Sequence, residues 1–160
     1  MSSFTKPVQI EWSEDHPRLA KTLEGYVYYL EWNDESDYVA VPAGFLFDGA
    51  STPARYDFIL PRWNGKTIKA ALIHDYAYKF RTITTMKGHT YKCTRKDADK
   101  IFLDMLRISG EKYIKRSKSM KWYRRFTWRL RCNLAYMALR AFGWIAWGKH
   151  RFNEWRSDAH

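Results

Sequence analysis

The chain has 160 residues, of which 46% are apolar and 18% aromatic, with 28 Lys and Arg against 17 Asp and Glu for a formal charge of +11. That aromatic share is about twice the average of roughly 8–9% and excludes a wholly disordered chain, while the length fits one domain better than two. Two cysteines, Cys93 and Cys132, exclude a disulfide scaffold, and no uncharged apolar run of about 18 residues exists to span a bilayer. The first residues, Met1 to Pro7, lack the apolar run of a secretory signal, so a reducing cytoplasm with both thiols free is expected.

In chain order, strands come first. Val8 to Trp12 alternates apolar and polar residues as a half-buried strand does. Gly25 to Trp32, rich in Tyr, Val and Leu, predicts a second strand, and Asn33 to Asp37 a polar turn. Tyr38 to Val41 then returns as the other arm of a hairpin. Pro42, Gly44, Gly49 and Pro53 punctuate a loop from Ala43 to Pro53.

Helical spacing takes over after Gly65. Ile68, Ala71, Leu72 and Asp75 fall at i, i+3, i+4 and i+7, which predicts a helix over about 66–80. A loop over 81–94 follows. Thr94-Arg95-Lys96-Asp97 has the form of a capping box opening a helix over about 95–109, with Gly110 as its stop. A third helix is expected over about 120–147, ending before Gly148. The fold class is therefore α+β: a small antiparallel sheet within about residues 7–47, then three helices. Residues 1–110 form its core, and 111–160 a basic, aromatic helical segment that either joins the same domain or is appended to it.

Charge divides the chain unevenly. Residues 1–80 hold 8 basic and 11 acidic side chains, and residues 81–160 hold 20 and 6. Between 111 and 131, Glu111 stands alone against Lys112, Lys115, Arg116, Lys118, Lys121, Arg124, Arg125, Arg129 and Arg131. Such a block suits phosphate, on an anionic phospholipid membrane or on nucleic acid; the plainer alternative is a solvated surface. Met120 to Arg131 interleaves these cations with Trp122, Tyr123, Phe126 and Trp128. Leu134 to Trp147 is almost wholly apolar, with the single Arg140. A basic helix with aromatic residues can lie in a membrane interface or stack on single-stranded bases. Residues 134–147 read first as a core helix packed over the sheet.

The candidate chemistry gathers between residues 43 and 104. His74 and Tyr78, four apart, share a helix face, and Asp75 projects about 100° away. If the two helices pack antiparallel, Asp99 returns beside His74. A carboxylate on one imidazole nitrogen fixes the tautomer and leaves the other free to take a proton from water. Asp75 is placed to hold a hard cation with Asp48 and loop carbonyls.

Two resemblances rest on these residues. Val41-Pro42-Ala43-Gly44-Phe45, Asp48-Gly49-Ala50-Ser51-Thr52-Pro53 and Ala70-Ala71-Leu72-Ile73-His74-Asp75-Tyr76-Ala77-Tyr78, continuing with Arg95, Ala98, Asp99 and Phe102, resemble a small family of phage and prophage proteins catalogued as a domain of unknown function (DUF 1353), over about residues 38–110. That resemblance implies a viral setting: a phage particle, or the cytoplasm or inner membrane surface of an infected host. His-Asp-x-x-Tyr on one helix and Asp-x-x-Phe on the next is also similar to the signature of secreted phospholipases of the A2 type. It implies His74 as general base, Asp75 as a calcium ligand, Tyr78 and Asp99 as the groups that steady the histidine, and Phe102 as the matching aromatic. The calcium loop of those enzymes is Gly- and Cys-rich, and Phe45 to Ser51 stands in its place here, without flanking disulfides.

Three functions follow: a calcium-assisted phospholipid ester hydrolase at a membrane surface, a virion or assembly component contacting other phage virion proteins, or a nucleic-acid-binding phage protein. Each residue also has an ordinary reading. His74 and Asp99 can be a buried structural pair, Asp75 can pair with Lys79, and Asp48-Gly49 can simply be a turn. Ser51 as a nucleophile lacks a Gly-x-Ser-x-Gly elbow. His16, His89, His150 and His160 have no ligand spacing with the cysteines, which excludes a zinc site.

Overall fold

The computed structural model describes residues 7–15, 19–30, 37–49, 60, 63, 65, 67–85, 87–116 and 121–157, with the side-chain surroundings of 113, 116 and 149–157 left out. β1 (Ile10–Trp12), β2 (Ala20–Thr22) and β5 (Leu46–Phe47) form a three-stranded antiparallel sheet in the order β1-β2-β5. β3 (Tyr26–Tyr29) and β4 (Asp37–Val41) pair antiparallel, Tyr26 opposite Val41 and Tyr29 opposite Tyr38. Their period of two puts Tyr26, Tyr28, Val39 and Val41 in the core and leaves Val27 and Tyr29 outside. This is the predicted hairpin, although Asp37 belongs to β4 rather than to the turn. Asp37 is buried and accepts a hydrogen bond from Tyr91 Oη at 2.7 Å.

After helix α1 (Ile68–Phe80) come β6 (Thr82–Thr85) and β7 (Thr90–Lys92), which complete a second antiparallel sheet in the order β3-β4-β6-β7. The fold is α+β, but the β structure differs from expectation. There are two sheets rather than one, β5 lies in the stretch read as a loop, β2 in one given no element, and the 81–94 connection is a hairpin rather than a loop. Its cue was present in the β-branched run Thr82-Ile83-Thr84-Thr85.

From Ala70 to His74 every residue of α1 is buried, because β4 and β5 flank it on one side and the other two helices on the other. The helix ends at Arg81, whose φ of 54° is left-handed and whose N–H bonds the Ala77 carbonyl at 3.0 Å. This costs a non-glycine residue about 1–2 kcal/mol. The Arg81 side chain offsets it by donating to the Trp147 carbonyl at 2.6 Å and lying 4.4 Å from the Trp147 ring centroid.

Helix α2 (Arg95–Arg116) starts at the capping box: Thr94 N donates to Asp97 Oδ2 at 2.9 Å and Asp97 N to Thr94 Oγ1 at 3.2 Å. It runs through Gly110 rather than stopping there. A Cβ on Gly110 would sit 1.7 Å from Trp128 Nε1 of α3 (Lys121–Ser157), so this glycine makes room for an indole. The indole N–H donates to the Leu106 carbonyl at 3.0 Å. Packing thus overrides glycine's weak helix preference, and the division expected at residue 110 falls inside one helix. Helix α3 likewise continues past Gly148 to Ser157.

The two long helices run antiparallel, as Arg107 with Asn133 and Arg129 with Glu111 show. Helix α3 lies on α2 and α1 through Trp128, Cys132, Ala135 and Gly143, not over a sheet. The expected core helix over the sheet is thereby corrected: most of its large apolar side chains face outward. Cys93 and Cys132 are free, as expected, and burial pushes both thiols up to about 12.

Gly110→Ala should destabilise the protein by about 2–3 kcal/mol, overpacking and the lost indole bond outweighing the ~1 kcal/mol gained in helix preference. The check is a thermal melt, with Tm expected to fall by roughly 5–10 °C.

Candidate functional site

One carboxylate organises the site. Asp99, on the first turns of α2, is 0% exposed, and its two oxygens are shared among three donors from two other helices. Tyr78 Oη donates to Oδ1 at 2.5 Å, and His74 Nε2 faces the same oxygen at 3.3 Å. Arg140 Nη1 donates to Oδ2 at 2.9 Å. His74 and Tyr78 meet Asp99 together because a four-residue step on α1 puts them on one face, their ring centroids 4.1 Å apart. Phe102, one turn beyond Asp99 on α2, closes the other side of the imidazole at 5.0 Å.

Burial alone would raise the Asp99 carboxyl, but the bonds from His74, Tyr78 and Arg140 outweigh it and hold the group below the ordinary 3.8. An ionised Asp99 only accepts, so His74 Nε2 carries the proton and Nδ1 is the basic nitrogen. Burial lowers the His74 pKa, yet the carboxylates of Asp75 and Asp99 outweigh it and leave the imidazole above its ordinary 6.5.

Asp75 turns toward His74 Nδ1, 3.7 Å from its Oδ1, and not toward Lys79, whose Nζ lies over the rings of Phe45 and Phe80. Its other oxygen, Oδ2, is buried and finds no hydrogen-bond partner among the described residues. Burial pushes Asp75 up to about 7; His74 opposes the shift, and the nearby Asp48 adds to it. Asp48, just after β5, is half-buried and is followed by Gly49 at φ 74°, so Asp48-Gly49 does form a bend. Among the described residues no cluster of three or more His, Cys, Asp or Glu is placed to hold a metal. An orphaned carboxylate oxygen beside a second carboxylate nevertheless fits a hard cation, with carbonyls completing the set. Ser51 lies outside the described residues.

Sequence reasoning missed Arg140. The signal was a single charge in an otherwise apolar run, but its partner is 41 residues away. Around it α3 is tied down repeatedly. Arg95 Nη1 donates to the carbonyls of Leu139 and Arg140 at 3.3 and 3.2 Å. A Cβ on Gly143 would meet Tyr78 Oη at 2.7 Å, so this glycine lets the phenol pass.

The basic residues lie elsewhere. Lys115, Lys121, Arg124, Arg129 and Arg131 are exposed, and Arg125 is half-buried. The side chain of Arg116 and all of Lys118 lie outside the described residues.

The sequence model of a family described as "Protein of unknown function (DUF1353)" matches residues 23–123. The chain belongs to this family. No curated protein and no solved structure matches it. The segment shared with the family holds His74, Asp75, Tyr78 and Asp99 but ends in the first turn of α3, so Arg140 and Gly143 reach the site from beyond it.

Two outcomes are expected. Arg140→Met should cost about 2–3 kcal/mol by denaturant titration, because it takes a charged hydrogen bond from a fully buried carboxylate. His74 and Asp75 both hold protons more tightly when folded than when unfolded. Their contribution is full at low pH and is lost as the pH rises, for Asp75 from 3.8 to about 7 and for His74 above 6.5. Asp99 acts in the opposite sense, its contribution lost as the pH falls below 3.8. In chelator-treated protein, Tm should therefore fall between about pH 5 and pH 8, and Asp75→Asn should flatten that slope.

Proposed function

We propose that the protein is a phage-encoded, metal-assisted ester hydrolase of phospholipid-like substrates, with His74 as its general base. The observation that carries this reading is the division of labour on the imidazole: Nε2 is held by Asp99, while Nδ1 points to the side where Asp75 and Asp48 gather. The A2-type signature supplies the reaction class, and the resemblance over residues 38–110 supplies the phage setting.

In this mechanism His74 Nδ1 takes a proton from water as the oxygen attacks the ester carbonyl. The imidazolium is stabilised by ionised Asp99, with Tyr78 and Arg140 keeping that carboxylate oriented. As the carbonyl–oxygen bond breaks, Nδ1 returns the proton to the departing alkoxide. Calcium, held by Asp75 and Asp48, would polarise the carbonyl and offset the oxyanion charge. The raised His74 pKa supports a rate that climbs with pH as the imidazole loses its proton.

A second reading, a non-catalytic virion or assembly component, is favoured by one observation. His74 is only 7% exposed and packs between Tyr78 and Phe102, as a structural histidine would.

A fluorogenic phospholipid assay on the wild type, His74→Ala and Asp99→Asn, each checked for folding and run with and without calcium, separates them. The hydrolase reading expects calcium-dependent turnover that falls by about 10²–10⁴ in His74→Ala and is strongly reduced in Asp99→Asn. A folded wild type without turnover would leave the pair as scaffolding.

A further inference from the structure

Helix α3 has two unlike apolar faces. Trp128, Cys132, Ala135 and Gly143 form the packed one. Tyr123, Phe126, Leu130, Leu134, Met137 and Trp144 are all exposed, Phe126 by 64% and Trp144 by 63%. At 100° per residue these six fall within an arc of about 80°, centred opposite the packed face. From Tyr123 to Met137 they recur every three or four residues, and Trp144 follows two turns later, about 32 Å of helix in all. No described helix is long and apolar enough to cross a membrane. Among the described residues nothing covers the outer stripe, which is long and narrow.

We propose that this outer face of α3 docks in the plane of an anionic bilayer surface, with the apolar stripe in the acyl boundary and the flanking cations on the headgroups. Charge chooses the occupant. Arg124 and Arg131 flank the stripe on one side and Arg129, which also pairs with Glu111 of α2, on the other, and from Lys121 to Lys149 there is no Asp or Glu. A second copy laid on this face would bring two cationic stretches together with no acid between Lys121 and Lys149 of either helix to match them. A nucleic acid suits the cations but not the stripe's middle, where Leu130, Leu134 and Met137 are aliphatic and offer no ring to stack on. An anionic bilayer satisfies both parts at once, apolar side chains against acyl chains and Arg against phosphate, with Trp and Tyr at the boundary. Docking of this kind requires no catalysis, so it stands apart from the hydrolase reading.

The test is sedimentation of the full chain with vesicles of phosphatidylglycerol and phosphatidylcholine, against vesicles of phosphatidylcholine alone. The variants are Leu134→Asp with Met137→Asp, Arg124→Glu with Arg131→Glu, and His74→Ala. The proposal expects at least ~10-fold stronger partition onto the anionic vesicles, weakening as salt rises. Each paired variant should lose at least ~10-fold of it with Tm unchanged, and His74→Ala should lose none. All substituted α3 positions are exposed, and the arginine pair keeps the test readable if the apolar pair harms folding. No partition, equal partition onto neutral vesicles, a dimer that the apolar pair dissolves, or tighter binding to DNA than to the anionic vesicles would each overturn it.

Discussion

Asp99 is a carboxylate cut off from water, and the three helices are arranged around keeping it charged. An unpaired ion in that position would cost several kcal/mol or give up its charge. It does neither, because α1 brings His74 and Tyr78 and α3 brings Arg140. Each donor requires something of its surroundings. Tyr78 reaches Asp99 only because Gly143 leaves room above its hydroxyl. Arg140 reaches it only where α3 is held, and Arg95, from the same turn of α2 as Asp99, grips the α3 backbone there. The polar cluster and the helix packing are thus one arrangement.

The same constraint creates the asymmetry that gives His74 chemical meaning. Asp99 is saturated and its ionised state is secure, whereas Asp75, next to His74 in sequence, is half-buried, with a buried Oδ2 that finds no partner among the described residues, and is pushed up to about 7. Two carboxylates flank one imidazole in opposite electrostatic conditions. Environments that push neighbouring titratable groups apart in this way are a feature of sites built for proton transfer or cation binding. A purely structural pair needs Asp99 but has no use for a second carboxylate turned to the other imidazole nitrogen, and it is Asp75 that tilts the interpretation toward chemistry.

How much of this was legible follows from the range of each interaction. His74 and Tyr78 share a face by a local rule, and the capping box at Thr94 fixes where α2 begins; given an antiparallel return, Asp99 then falls beside them. The stop signals failed for the opposite reason. Gly110 is inside α2 because Trp128 needs the space, a demand that comes from another helix and leaves no local trace, and Gly148 has open space around it where α3 runs on. Arg140 was hidden in the same way, inside a run whose apolar character suggested core. The β6–β7 hairpin rests on only four residues of strand character, Thr82 to Thr85, and it is pairing with β4, distant in sequence, that makes them a strand.

Helix α3 carries the last consequence. At 37 residues it is about 55 Å long, far longer than the helices it packs against require. Its inner side is specified residue by residue, with small residues where neighbours intrude and one arginine where a charge must be met. Its outer side has the opposite character: large apolar and aromatic side chains that the fold itself does not need. Exposing such a strip is unfavourable in water, and a contiguous one marks a surface meant to be covered. Arg140 and the outer stripe belong to one helix, and at 100° per residue Arg140 stands only about 80° around the axis from the stripe's centre. The exposed stripe and the buried His-Asp pair are in that sense mechanically continuous, and a surface that bound α3 would bear on the same element that keeps Asp99 charged.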